Sequence, residues 1–245
     1  MLEPHPPEHT PHSWRDFFIH IATITVGLLI AVGIEQTVEL IHHRHQRHEL
    51  EENMRAEAER NVDILTTHLD VNIPNLLWSR AALIAIRSAP EHNGFIDLTL
   101  PPPDPNRSHK IMTAPERNVW PAAKAAGTVV LLPAGLAQAY AQVDMQADFD
   151  DREVERIRDA SALTTRFELA TGSRIAPGKP LHLTPAQRDQ LVLALSTEIQ
   201  SLYDLLRRDN LFLVTSQGLL SGVQDTPSLV HYVAAHAPLR TDQYR

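Results

Sequence analysis

Hydrophobic and polar positions divide the chain into one continuous apolar run and several stretches with helical spacing. Between Phe17 and Ile34 there is no Lys, Arg, Asp or Glu, and His20 is the only ionisable side chain. About 18 helical residues extend roughly 27 Å, close to the roughly 30 Å hydrocarbon core of a bilayer. The run predicts a transmembrane helix over 14–40, with the lipid bilayer as its partner. The membrane-anchor residues are Phe17, Gly27, Leu28, Leu29, Ile30, Ala31 and Ile34.

Two other interpretations of the apolar run stay open. Ala31-Val32-Gly33 has the small residues of a signal-peptide cleavage site, so the chain could be a secreted helical protein with its first segment removed. The run could also be a buried helix of a soluble protein. One arginine precedes the run, and Arg44, Arg47 and Arg55 follow it. This difference leans toward a cytoplasmic C-terminal side but is too small to predict the orientation.

Small residues recur every four positions on one face of the predicted anchor. Thr23, Gly27 and Ala31 share this face, and Glu35 continues it near the membrane edge. Small side chains let two transmembrane helices approach closely. The face is therefore a candidate for homodimer formation through the transmembrane helix. The alternative is that glycine and alanine are simply common in such helices.

After the anchor, apolar residues continue at spacings of three and four, which indicates an amphipathic helix. This pattern predicts a long juxtamembrane helix over 41–89 that is kinked or split near Pro74, because proline cannot donate the helical hydrogen bond. The proline cluster of 90–112 predicts a long loop. Ile96 to Leu100 has extended character, but the sequence offers no clear partner strand.

The remaining helices are predicted over 113–222. Thr113 and Glu116 have capping-box spacing, and Pro133 opens a helix that runs to Gly172. Another helix begins at Thr184-Pro185-Ala186-Gln187, with a capping threonine and a proline in the first position. Together these helices predict an all-α protein in which the transmembrane helix continues into a bundle of about four helices. The ends of the chain are predicted to be a disordered tail, 1–13, and a C-terminal tail, 223–245.

Composition supports an all-helical protein and excludes several kinds of site. Aromatic residues, which favour strands, make up only 5% of the chain. There is no cysteine, so disulfides, thiolate zinc sites and cysteine nucleophiles are excluded. The net charge of −8 and the lack of a basic block argue against nucleic acid as a partner. The hydrophobic fraction of 43% is sufficient for a core. Trp78 and Trp120 lie among apolar and small residues and are predicted to fill it.

The histidines are the first candidates for chemistry. His42, His43, His45 and His48 follow the anchor, and pairs of them share a helix face with acidic neighbours. One straight helix presents only two such ligands to an ion at a time, so these side chains are interpreted as polar groups at the membrane interface. A membrane-tethered metal-binding protein or enzyme that uses histidines is the alternative. A second set lies in the N-terminal tail: His5, His9 and His12.

No catalytic residue, metal site or cofactor is predicted. The acidic run from Asp144 to Glu155 lacks the central glycine of a calcium loop and is interpreted as a solvated helix face. The segment "GSRIAPGKP" fails as a phosphate-binding loop, because proline occupies the Ser/Thr position and no apolar strand precedes it.

The anchor region resembles a group of uncharacterised bacterial single-pass membrane proteins. These proteins have a Trp-basic tail, a Gly-Leu-Leu-Ile-Ala-like anchor, a Glu-Gln pair and a His/Arg-rich exit. The resemblance implies an anchored helical domain in the bacterial inner membrane and carries no activity. We therefore expect non-enzymatic sensing, scaffolding or interaction with an unidentified protein. The matching residues are Trp14, Arg15, Gly27 to Ala31, Glu35, Gln36, Glu39 and His42 to His45.

Overall fold

The computed structural model describes residues 14–102 and 113–236 and is almost entirely helical there. The predicted tail 1–13, with its three histidines, lies outside the described residues, as do 103–112 and 237–245. The all-α fold class with a long apolar N-terminal helix is confirmed. The elements are α1 (Trp14–Ser88), β1 (Glu91–His92), β2 (Phe95–Thr99), α2 (Val119–Ala126), α3 (Ala134–Thr171), β3 (Pro180–Leu183), α4 (Pro185–Leu220) and α5 (Thr226–His236).

The chain forms two compact units, Met1–Glu49 and Leu50–Arg245. In the first unit, the described residues are the beginning of α1. An 18-residue window of this helix has a mean hydropathy of 2.3, and none of it is buried inside the structure. One helix is therefore long and apolar enough to cross a membrane. The second unit is called the bundle below.

The bundle is built from the second half of α1 together with α3 and α4. At one end, Leu50 of α1 packs in a cluster with Tyr140 of α3. At the other end, Ile86 of α1 packs in a cluster with Phe167 of α3 and Leu191 of α4. From the first end of the bundle to the second, the residue numbers increase along α1 and α3 and decrease along α4. α3 therefore runs parallel to this part of α1, and α4 runs antiparallel to both. Both predicted core tryptophans are buried in these clusters.

Local sequence signals set several helix ends. Thr184 and Gln187 form a reciprocal capping box, which confirms the predicted start of α4. α3 ends at Gly172, whose φ of 69° is the left-handed conformation that glycine adopts without a steric penalty. Pro74 lies inside the continuous helix α1, so of the two predicted outcomes the split does not occur and the kink stays a prediction.

A small antiparallel sheet occupies part of the predicted loop. β2 pairs with β1 through a turn at Asn93-Gly94 and pairs on its other side with β3. Ile96 of β2 lies opposite Leu183 of β3, and both side chains are buried. The prediction of a loop over 90–112 is therefore wrong for the strands. The third strand of the sheet, β3, lies more than eighty residues after β2 in the sequence, so no local pattern reveals this pairing.

The predicted capping box at Thr113 and Glu116 is also wrong, because α2 begins at Val119. Glu116 instead binds α1 through its backbone. Its N–H donates to Asn61 Oδ1 at 2.7 Å, and its carbonyl oxygen accepts from Asn61 Nδ2 at 2.9 Å. The buried Glu57 carboxylate of α1 accepts from the N–H groups of Asn118 and Val119 at 2.8 and 3.0 Å. A side chain of α1 therefore caps the start of α2.

Candidate functional site

The predicted membrane-anchor residues all lie in α1 and are exposed in the first unit. Leu28 and Leu29 are each 64% exposed, and a Cβ added at Gly27 would meet nothing within 4 Å. The predicted pairing face of Thr23, Gly27, Ala31 and Glu35 is likewise uncovered in the single chain. The Thr23 hydroxyl donates to its own helix, to Ile19 O at 2.8 Å.

The histidines after the anchor, which are the alternative metal ligands, all lie on α1. His42, His43, His45 and His48 are exposed, and His43 Nε2 lies 3.9 Å from Glu39 Oε1. Within the described parts of the chain, no group of three or more histidine or carboxylate ligands is placed to hold a metal ion.

The described residues of the bundle contain one closed cluster of ionisable side chains that no prediction named. It consists of His68 from α1, Asp150 from α3 and Asp209 from α4, and we call it the polar layer. These side chains are 1%, 0% and 0% exposed. Ionisable groups are rarely buried so completely without a partner of opposite charge, so the polar layer is the strongest candidate for a functional element.

Apolar side chains close the polar layer on both sides. One neighbouring cluster contains Leu65, Ala147 and Phe212, each three residues from a member of the layer. The cluster on the other side contains Leu69, Val154 and Leu206, which lie one to four residues from the same members. Because each of the three helices contributes to both clusters, the polar layer occupies one level of the core with apolar packing above and below.

The geometry within the polar layer requires a proton. A side-chain hydrogen bond between the Asp150 and Asp209 carboxyl groups contributes to the pKa shift of each. Two ionised carboxylates have only acceptors, so this contact needs one of them to be protonated. His68 Nδ1 is 3.5 Å from Asp209 Oδ2, and neither ring nitrogen has a hydrogen-bond partner among the described residues. No other group in the described parts of the chain bonds the two carboxyl groups.

Burial shifts the pKa values of all three groups toward their neutral forms. Desolvation, reinforced by the Asp209 carboxyl, raises the pKa of Asp150 to about 9. Desolvation also raises the pKa of Asp209 to about 7, although the hydrogen bond from Asp150 opposes the shift. The pKa of His68 is lowered by desolvation, partly offset by Asp150. At neutral pH the layer therefore retains at least one proton.

No cation of the described residues neutralises the layer. Asp151 adds a further negative charge near Asp150, while Arg208, beside Asp209 in sequence, places its guanidinium carbon 5.0 Å from the centre of the Phe149 ring. Among the described residues, no lysine or arginine forms an ion pair with Asp150 or Asp209. Protonation of one of the two carboxyl groups is thus the means available to this layer for limiting its buried charge.

The polar layer is suited to holding a proton and poorly suited to catalysis. Its three side chains are at most 1% exposed, so a dissolved substrate cannot reach them while the bundle is closed. None of them touches a hydroxyl or thiol nucleophile by any hydrogen bond in the described structure. The arrangement can bind and release protons without a bound organic ligand.

The acidic run containing Asp150 was predicted to be a solvated helix face, and this is wrong for Asp150 and Glu153, which are buried. A signal for Asp150 is present in the sequence. It follows Val143 and Ala147 and precedes Val154 and Ile157 at the three-and-four spacing of the apolar stripe. His68 and Asp209 sit in equivalent stripes on α1 and α4. The spacing predicts that each of the three side chains faces the interior of the bundle. It does not predict that they lie at the same level.

Comparison of the chain with protein-family models, curated proteins and solved structures finds no match in any of the three. The resemblance carried by the anchor region therefore stays a prediction. The features that bear on function are those of the residues themselves: an uncovered apolar helix in the first unit and a closed layer of buried ionisable side chains in the bundle.

Proposed function

We propose that this chain is a single-pass protein of the bacterial inner membrane whose helical bundle acts without catalysis, in sensing or protein interaction. The observation that carries the proposal is the uncovered apolar segment at the beginning of α1. Its 18-residue window has a mean hydropathy of 2.3 and no buried part. The chemistry of the anchor, rather than an enzymatic site, is the strongest functional signal of the first unit.

Lipid is the environment that suits this segment. A helix in the core of a soluble protein hides its apolar side chains inside the protein, whereas Ile24, Leu28 and Ile30 are each more than half exposed. Apolar side chains of this size each gain about 1.5–3 kcal/mol when they leave water. A bilayer supplies that gain around the whole circumference of the helix.

The bundle supports a role in interaction or sensing more than one in catalysis. Its buried ionisable side chains are held within the packed helices, as the polar layer illustrates. The pairing face of Thr23, Gly27, Ala31 and Glu35 supports a homodimer within the membrane, because small residues permit close helix contact. An unidentified protein is the further partner of the bundle in this proposal.

The anchor is tested by expressing the full chain with a C-terminal tag in a bacterial host and extracting the membranes with alkaline carbonate. The wild type is expected in the pellet. Leu28→Arg combined with Leu29→Arg is expected to move most of the protein to the soluble fraction. Each arginine near the helix centre raises the free energy of insertion by about 3 kcal/mol.

A matched control places the same substitutions on the bundle. Leu169→Arg and Leu193→Arg alter side chains that are 82% and 68% exposed, so membrane retention is expected to be unchanged. Intact mass measurement separates the anchor from a cleaved signal. Recovery of a soluble chain that has lost about 33 residues, or of a soluble chain with its N-terminus intact, contradicts the proposal.

A further inference from the structure

We propose that the polar layer of His68, Asp150 and Asp209 is a proton-binding site that controls the packing of α1, α3 and α4. With its shared proton in place the bundle is closed, and loss of that proton in alkaline surroundings loosens the three helices at this level. The inference rests on the proposed function in one respect, since the proton is then the ligand that an anchored sensor detects.

The geometry gives the proton a specific task. Asp150 of α3 and Asp209 of α4 are both fully buried and interact with each other, inside a level that apolar clusters close on both sides. Without a proton between them, two negative charges would be confined together with no donor to stabilise them. His68 of α1 cannot supply a matching positive charge at low cost, because it too is buried. The least costly relief is separation of the helices.

The groups facing the layer come from each helix that packs around it. α1 contributes His68, α3 contributes Asp150 and the nearby Asp151, and α4 contributes Asp209. On α3, Glu153 pairs with Arg156 at 2.8 Å. α5 meets α4 at Gly218, where Leu229 and Tyr232 lie, nine residues or about 13 Å along the helix from Asp209. Among the described residues around the polar layer, Asp151 therefore adds a negative charge near Asp150, and no lysine or arginine adds a positive one.

The direction of the pH effect follows from the two carboxyl groups. Each has a pKa raised in the folded state, so its stabilising contribution is complete below the unfolded value of about 3.9 and is lost as the pH rises through about 7 for Asp209 and about 9 for Asp150. His68, with a lowered pKa, contributes above its unfolded value of about 6.5 and loses that contribution as the pH falls. Above pH 7 His68 is mostly neutral in both the folded and the unfolded state, so it contributes little to the change of stability with pH.

The test is urea unfolding of the full chain in a nonionic detergent at pH 7 and pH 9, followed by tryptophan fluorescence, since Trp78 and Trp120 are buried in the bundle. One proton released on unfolding changes the equilibrium constant about tenfold per pH unit. The unfolding constant of the wild type is therefore expected to rise about 100-fold between these pH values. Asp150→Asn with Asp209→Asn is expected to reduce the rise to a few-fold.

Glu198→Gln is the matched control, because it also removes a buried carboxylate from α4. That carboxylate accepts a hydrogen bond from the Thr164 hydroxyl at 2.6 Å and lies outside the polar layer. The control is expected to keep the wild-type pH dependence. An equal rise in the wild type and in the double variant would overturn the inference.

Infrared spectroscopy gives a second measurement that does not depend on the double variant folding. The wild type at pH 7 is expected to show the carbonyl band of a protonated carboxyl group, and the single variant Asp150→Asn is expected to lose or shift it. Absence of the band in the wild type overturns the inference. So does elemental analysis that finds one equivalent of bound metal, since a cation would then replace the proton.

These outcomes are independent of the membrane experiment. A chain that fractionates as soluble and still shows the carboxyl band and the pH dependence contradicts the anchor but keeps the proton site. A membrane-bound chain without either signal keeps the anchor and removes the proton site.

Discussion

At the residue scale, buried carboxylates in this protein differ in what satisfies them. Glu57 accepts two backbone N–H groups, and Glu198 accepts a threonine hydroxyl. Asp150 and Asp209 accept no hydrogen bond from an N–H or hydroxyl group of the described residues, and His68, the ring beside Asp209, has a lowered pKa. Donors stabilise an ionised carboxylate, whereas a second carboxylate favours a shared proton. The same functional group therefore serves as a structural cap in one place and as a titratable element in another.

Replacing Glu57 by alanine is expected to destabilise the bundle by about 2–4 kcal/mol, because two backbone N–H groups at the start of α2 lose their acceptor. Glu57→Gln keeps an oxygen and is expected to cost about 1 kcal/mol, because only the charge is lost. Urea unfolding of the full chain measures both free energies. Glu59, two residues after Glu57 on α1, forms an exposed ion pair with Arg55. Glu59→Ala breaks this pair and is expected to change the free energy of unfolding by less than about 0.5 kcal/mol.

At the element scale, the ends that sequence analysis locates are those set by neighbouring residues. The capping box of Thr184 and Gln187 lies within four positions, and Gly172 ends α3 through its own backbone conformation. The start of α2 and the sheet depend on partners tens of residues away, Glu57 in the first case and Pro180–Leu183 in the second. Local pattern therefore predicts the long helices well and misses elements formed by distant contacts.

The anchor helix carries a prediction of its own. Gly27→Ile is expected to weaken self-association of the full chain in detergent by about tenfold or more, because a branched side chain blocks close approach on the pairing face. Crosslinking at varied protein concentration, or analytical ultracentrifugation, measures the change in dimer fraction.

Gly33→Ile is the control for this prediction. Gly33 lies on a different face of the same helix, and an added Cβ there meets nothing within 4 Å, as at Gly27. Its association is expected to match the wild type. Equal weakening by both substitutions would show that the small-residue face has no special role.

At the scale of the whole molecule, the bundle consists of apolar clusters along α1, α3 and α4, with the polar layer between two of them. The stripes on α1, α3 and α4 were visible in the sequence, so the existence of a bundle could be predicted. The coincidence of His68, Asp150 and Asp209 at one level could not, because it depends on the relative register of three helices. The polar layer is for that reason the part of the candidate site that only the structure reveals.

The apolar level next to the polar layer should carry much of the bundle's stability. Ile157→Ala removes a side chain that is 0% exposed and is expected to cost about 2–5 kcal/mol by urea unfolding, since it leaves a cavity between packed helices. Leu193→Ala, at a position 68% exposed on α4, is expected to cost less than about 1 kcal/mol. Similar losses at both positions would contradict the assignment of the core.

The cap that Glu57 provides to α2 has a consequence for the order of folding. An isolated helix of eight residues is too short to persist in water, where about 12–15 residues are the practical minimum. The stabilising contacts link Glu57 to Asn118 and Val119, which lie 61 and 62 positions later in the sequence. The ends of a long chain segment must therefore be brought together before these contacts form. α2 is therefore expected to appear late, after α1 is in place, and to be the first helix of the bundle to exchange its amide hydrogens with solvent.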